Sequence, residues 1–222
     1  MINRKQALLI SLLSICIMSS TALFVNSIAG SSRFIFTGIN CFLMLLGAYV
    51  SALPAALLVV AFFVCKACVW SMPITAGIPT LLSAVGFAAY HNPRATLSKL
   101  MLLGYPALCI VLFNLHPVGS LAMAYSLYWI IPMACYLALH YGFNRILCAS
   151  LGSTFIAHAT GSIMWLYLQQ TTPDYWLTLI PLVAAERIVF ALGAVCAYVA
   201  LHYASTLLLA KSSIAQEQSL NQ

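Results

Sequence analysis

Charge is what this sequence has least of. Its 222 residues include nine Lys or Arg and three Asp or Glu, 5% in all, against 64% hydrophobic residues. Soluble domains carry about a quarter charged residues, and a soluble fold of this size could not cover its surface with so few. The acids are Asp174, Glu186 and Glu217, so paired-carboxylate catalysis would need Asp174 beside Glu186. HExxH, GxSxG and Walker A sequences are missing, which removes the motif-based case for hydrolase or ATPase chemistry in this chain. Basic runs and aromatic–basic interleaving are missing too, so the net charge of +6 does not point to nucleic acid. The basic residues stand singly at the ends of apolar segments, where they set topology. The chain is expected to be no enzyme and to need no cofactor or metal.

Cysteine is present, but almost never in a pattern. Most of the eight sit inside apolar runs, where a free thiol behaves as a small hydrophobe. Cys65-Lys66-Ala67-Cys68 has a suggestive spacing, yet no second CxxC or Cys/His pair accompanies it, and a structural zinc site needs four ligands.

What fills the chain instead is long apolar segments. The run from Leu8 to Ala29 is about 22 residues, longer than a cleavable h-region, so it reads as a retained first span. Cutting at Gly, Pro, Asn and charge places spans near 7–29, 34–52, 54–71, 98–115, 119–140, 146–168 and 177–209. Ile74–Tyr90 is weaker, interrupted by Gly77, Pro79 and Gly86, and reads as a short span or a broken helix lining a cavity. The expected fold is all-α: a polytopic integral membrane helix bundle of roughly six to eight crossings. Counting Ile74–Tyr90 as a crossing puts Arg4, Lys5, Arg94, Lys99, Arg145 and Lys211 on one side and Arg33 and Asp174 on the other, with both termini cytoplasmic. Residues 1–211 form one transmembrane domain, and 212–222 a polar, frayed cytoplasmic tail.

Ionisable and polar groups inside a span are costly and mark candidate sites. Glu186-Arg187 lie together in the last span, as a buried ion pair or as a ligand group. His158 lies at similar depth, on a face shared with Ser153, Thr154, Gly161 and Ser162 and continued by Trp165. Asn114-Leu115-His116-Pro117 forms an outer turn leading to Tyr125, Tyr128 and Trp129, and Trp129 is too deep for an interfacial belt. Trp129, His158 and Glu186 therefore reach similar depths on three successive spans. Trp70 to Thr80 is read as an outer loop or a plain connector. His91, His140 and His202 fall near the inner face and receive no role.

Thr154-Phe155-Ile156-Ala157-His158, followed by Gly161 and Trp165, with an acid at Glu186 in the last helix, resembles the substrate-binding S components of energy-coupling-factor (ECF) vitamin transporters. Gly47-Ala48-Tyr49-Val50-Ser51-Ala52 is similar to the small-residue turn found early in many of them. The resemblance covers about the last 110 residues. The first helix offers Ser14, Ser19, Ser20, Ala22 and Ala29 but not the AxxxA spacing by which such proteins dock on their membrane coupling subunit. The resemblance implies uptake of a small, ring-containing solute, a vitamin or a similar molecule, across a bacterial cytoplasmic membrane. The solute-binding residues would be Trp129, His158, Trp165, Glu186 and Arg187, with Tyr125, His116 and Asn114 beside them. The implied partners are the solute, a membrane coupling subunit and ATPase subunits. Two other readings stand against this one. One is a non-catalytic assembly or scaffold protein whose polar groups glue helices together. The other is a thiol–disulfide oxidoreductase using Cys65 and Cys68.

Overall fold

The computed structural model describes residues 24–26, 35–37, 42–49 and 78–220, with Pro54, Leu57, Val60, Ala61, Val64 and Cys68 as single positions; side chains are described at 42–49, at those six positions and at 78–210. Most of the expected first span and of the 54–71 segment, part of the 34–52 segment, and with them Cys65 and residues 70–77 of the expected Trp70–Thr80 loop, lie outside the described residues. The six single positions are all helical and all exposed.

Two elements at the start are extended. β1 (Phe24–Asn26) pairs antiparallel with β2 (Ile35–Thr37), with Val25 opposite Phe36. These positions were expected at the ends of two helical spans, but β-branched and aromatic residues favour the extended chain once a partner strand is near. Every other described element is helical. α1 (Leu46–Tyr49) is a single turn. α2 (Ile78–His91) is unbroken: Pro79 sits in its first turn, where a missing N–H costs nothing, and Gly86 stays helical. Its 14 described residues run about 21 Å.

Among the described residues, four helical stretches are long and apolar enough to cross a membrane: Thr96–Leu115, Met123–His140, Arg145–Leu168 and Pro173–Ala210. The first comprises α3 (Thr96–Lys99), a π turn at Leu100–Gly104 and α4 (Tyr105–Leu115). Pro106 accounts for the π turn. It has no N–H to give Leu102, and its ring presses on that carbonyl, so the ladder widens there. After α5 (Pro117–Leu121), the second stretch comprises α6 (Met123–Ser126), a 3-10 turn at Leu127–Trp129 and α7 (Ile130–His140). The third is α8 (Arg145–Leu168), capped by Asn144, whose Oδ1 accepts from the amides of Ile146 and Leu147 at 3.0 and 3.1 Å. The fourth opens α9, which runs from Pro173 to Leu220. The polar tail expected to fray from Ser212 is thus helical to Leu220; the segment has no Gly or Pro and is rich in good helix formers such as Ala215, Gln216 and Glu217.

Short turns join consecutive stretches, so they alternate in direction. The turns at 92–95 and 141–144, with Arg94, Lys99 and Arg145, lie at one end, here called the basic end. The turns around His116 and 169–172, with Asp174, lie at the opposite end. α8 is the central helix, packed along α2 and flanked by α7 and α9. Toward the basic end Leu43, Phe87, Tyr90, Cys135, Cys148 and Ile156 form one core. Toward the opposite end Phe113, Tyr125, Trp129, Phe155 and Trp176 form a second, largely aromatic one. Lipid offers no hydrophobic gain for bringing these helices together, so van der Waals packing and interhelical hydrogen bonds carry the association.

Candidate functional site

The aromatic core is built around Phe113. Its ring meets Trp129 and Trp176 edge-on at centroid distances of 5.2 and 5.3 Å and stacks near Tyr125 at 5.6 Å. Trp176 turns inward to Tyr125 at 4.9 Å while its indole N–H donates to Thr171 Oγ1 at 3.0 Å. Each such aromatic pair contributes about 0.5–1.5 kcal/mol beyond its packing area.

Against this core stands His158, midway along α8. Trp129 Nε1–H donates to His158 Nδ1 at 3.3 Å, and Tyr125 Oη lies 2.7 Å from His158 Nε2. Ser162, one turn further along α8, is 3.2 Å from Tyr125 Oη and 3.4 Å from the same nitrogen. Tyr128 and Phe155 complete the ring shell around the imidazole, at 6.3 and 6.1 Å between centroids. The Tyr128 hydroxyl donates to the carbonyl of Ile180 at 2.6 Å and so ties the shell to α9. That carbonyl precedes Pro181, the proline inside α9.

Glu186 and Arg187 are both buried, with the guanidinium 3.5 Å from the carboxylate and 4.9 Å from the Phe190 ring centroid. They belong to the buried seam of α9, which includes Val183, Phe190, Ala194 and Leu201. Adjacent helix positions diverge by about 100°, and the pair meets only because the long Arg187 side chain folds back. The structure therefore brings Tyr125, Trp129 and His158 into direct contact, while the Glu186–Arg187 pair lies on the buried seam of α9.

The remaining expected residues stand apart from that contact. Trp165 is exposed, on the continuation of α8 beyond Ser162. His116 caps α5: Nδ1 accepts from the Val118 amide at 3.2 Å, and its ring lies edge-on to Tyr167 at 5.1 Å. Asn114 donates to the Ile110 carbonyl and to Ser126 Oγ at 2.8 and 3.0 Å, while its buried Oδ1 has no hydrogen-bond partner. The shared face expected on α8 divides in two. Ser153 and Gly161 face α2, near Gly86 and Pro79, whereas His158 and Ser162 face Tyr125. Five residues along a helix is about 140° of rotation, which separates Ser153 from His158. Among the described residues, no three His, Cys, Asp or Glu side chains come together as a metal site. Compared with known proteins, the chain matches no family model, no curated protein and no solved structure.

Proposed function

We propose that this chain binds a small, ring-containing solute within a bacterial cytoplasmic membrane and takes part in its uptake together with separate energy-coupling subunits. The observation that carries the reading is the hydrogen-bonded histidine in an aromatic shell, deep in a membrane helix, with a buried Glu–Arg pair close by. Intramembrane ionisable groups are costly and mark solute or ion paths. A few placed polar groups among aromatic rings are also what a small-ligand site supplies. Trp129 is fully buried and spends its N–H on His158, so its part is to orient the imidazole. The half-buried Tyr128 and the exposed Trp165 are the rings a solute would reach first.

The test is thermal unfolding of the detergent-purified protein against vitamins, their precursors and nucleobases. A ligand at 100 times its Kd stabilises the folded state by about 2.7 kcal/mol. The expected result is a hit that His158→Ala abolishes while the free variant stays folded. A folded protein with no hit across the panel sinks the proposal.

A second reading, a scaffold protein whose polar groups fasten helices, draws on the 3.5 Å contact between Glu186 and Arg187. It predicts that substitutions at His158 and Glu186 lower stability and change no binding to any panel member.

A further inference from the structure

The hydrogens of the Tyr125–His158–Ser162 trio do not all find acceptors. An indole N–H can only donate, so the contact at 3.3 Å makes His158 Nδ1 an acceptor. An imidazole with a lone pair on Nδ1 carries its hydrogen on Nε2. That Nε2–H donates to Tyr125 Oη at 2.7 Å. Nε2 therefore accepts from neither hydroxyl, although Ser162 Oγ is 3.4 Å away. Two hydroxyl hydrogens remain, one on Tyr125 and one on Ser162, with a single hydroxyl–hydroxyl contact of 3.2 Å between them. One is used and one is left over, whichever way that bond points.

Tyr125 already receives the short bond from His158, and Ser162 Oγ is the acceptor its own hydrogen has within reach. The spare hydrogen is then that of Ser162. Its hydroxyl makes no bond to the carbonyl one turn back, unlike Thr160, which donates to Ile156 O at 2.8 Å. Ser162 is 6% exposed and Tyr125 2%, so bulk water does not serve the unmatched donor. Leaving a buried donor unmatched is costly. Such a donor, one helical turn outward of His158, is a polar group built to meet something.

We infer that the Ser162 hydroxyl reads the solute, and that the solute presents a hydrogen-bond acceptor to it: a ring nitrogen, a carbonyl oxygen or a carboxylate. This rests on the solute-binding reading above and adds the polarity of the ligand at this position.

Matched ring compounds test it on the full-length protein: pyridine-3-carboxylate and pyridine-3-carboxamide as acceptors, benzylamine as a donor-only ring, alongside the broad panel. Acceptor-bearing compounds are expected to bind, with affinity at least tenfold weaker in Ser162→Ala and retained in Ser162→Thr. The free Ser162→Ala protein should stay folded and unfold near the parent's temperature, because the Ser162 donor it removes is exchanged for the Tyr125 hydrogen that Ser162 had accepted. Hits that bind Ser162→Ala as well as the parent, or hits confined to donor-only rings, overturn this inference and leave the solute reading standing. A panel without any hit overturns both. Nitrogen-15 spectra of the histidines, assigned with His158→Gln, check the premise directly: hydrogen on Nδ1 of His158 would overturn the count with no ligand present.

Discussion

The hydroxyl of Tyr90 occupies the space where a Cβ on Gly152 would stand. That contact fixes how closely α2 and α8 approach, because Tyr90 is fully buried and its hydroxyl donates to the Pro132 carbonyl on α7 at 2.7 Å. One side chain thus sets the spacing of three helices around a residue that has none.

Gly152→Ala tests this relationship, and two effects oppose each other in it. Alanine in a helix interior is about 1 kcal/mol better than glycine. Overpacking a tight contact costs typically about 1–3 kcal/mol. Here the ring atoms Cζ and Cε2 of Tyr90 stand in the way as well as the oxygen, and the hydroxyl is tethered to Pro132. The clash should win, with a net loss of about 1–2 kcal/mol read by thermal unfolding in detergent. Tyr90→Phe removes the oxygen, so the double variant should lose less than the two single losses summed. Additive losses would mean that the two residues do not press on each other.

The Glu186–Arg187 pair predicts a different non-additivity. Both side chains are about nine-tenths buried, at 9% and 10% exposure. Removing one partner of a buried pair leaves an uncompensated charge and costs about 3 kcal/mol or more, whereas replacing both with apolar groups of similar size is often neutral. Glu186→Leu and Arg187→Met should each destabilise clearly, and the double variant less than either. The same set divides the functional readings: the double variant should lose solute binding if the pair complements a ligand, and only stability should change if it fastens helices.

His116 belongs to the turn and should behave accordingly. Its Nδ1 satisfies the Val118 amide as a helix cap does, and Pro117 follows at the first helical position, where proline is preferred. His116→Ala should cost about 1 kcal/mol of stability, and His116→Asn, which keeps a capping acceptor, only a fraction of that. Affinity for any panel hit should be the same in both. A selective loss of binding in His116→Asn would move the solute site outward to the turn.

Sequence showed the membrane helices well because span length and apolar composition are single-chain properties: Arg145–Leu168 falls within a residue of the expected 146–168. It also showed that Trp129 and His158 share a depth. The direction in which each side chain points was harder to read. Ser153 and His158 both looked polar on one helix, but which of them meets Tyr125 depends on a rotation that neighbouring helices set. Ser162 was visible as part of a polar face, yet its unmatched hydrogen follows only from knowing that Trp129 donates to Nδ1. Trp176 carried no signal distinguishing it from an interfacial belt residue, since its inward turn depends on where Phe113 stands. At Phe24–Asn26 and Ile35–Thr37 apolar composition suggested helix, and cross-strand pairing decided otherwise.

The alternation of turns makes a prediction about sides. Arg94, Lys99 and Arg145 lie at the basic end, and Asp174 lies opposite. Cytoplasmic loops carry the excess of Lys and Arg, so the basic end should face the cytoplasm and the His116 turn the outside. Asn92 and Phe143 are exposed at the basic end, and Ser120 and Thr172 are exposed opposite. Single cysteines placed at these four positions in a cysteine-free background report their side through a maleimide that cannot cross the membrane. Those at Ser120 and Thr172 should label in intact cells, and those at Asn92 and Phe143 only after permeabilisation. The reverse pattern would keep the bundle and turn it over, placing the Ser162 side of His158 toward the cytoplasm and making uptake the wrong direction for the site. Labelling of Asn92 and Ser120 from the same side would mean that Thr96–Leu115 does not cross the membrane. The depth of the whole aromatic shell around His158 would then have to be argued again.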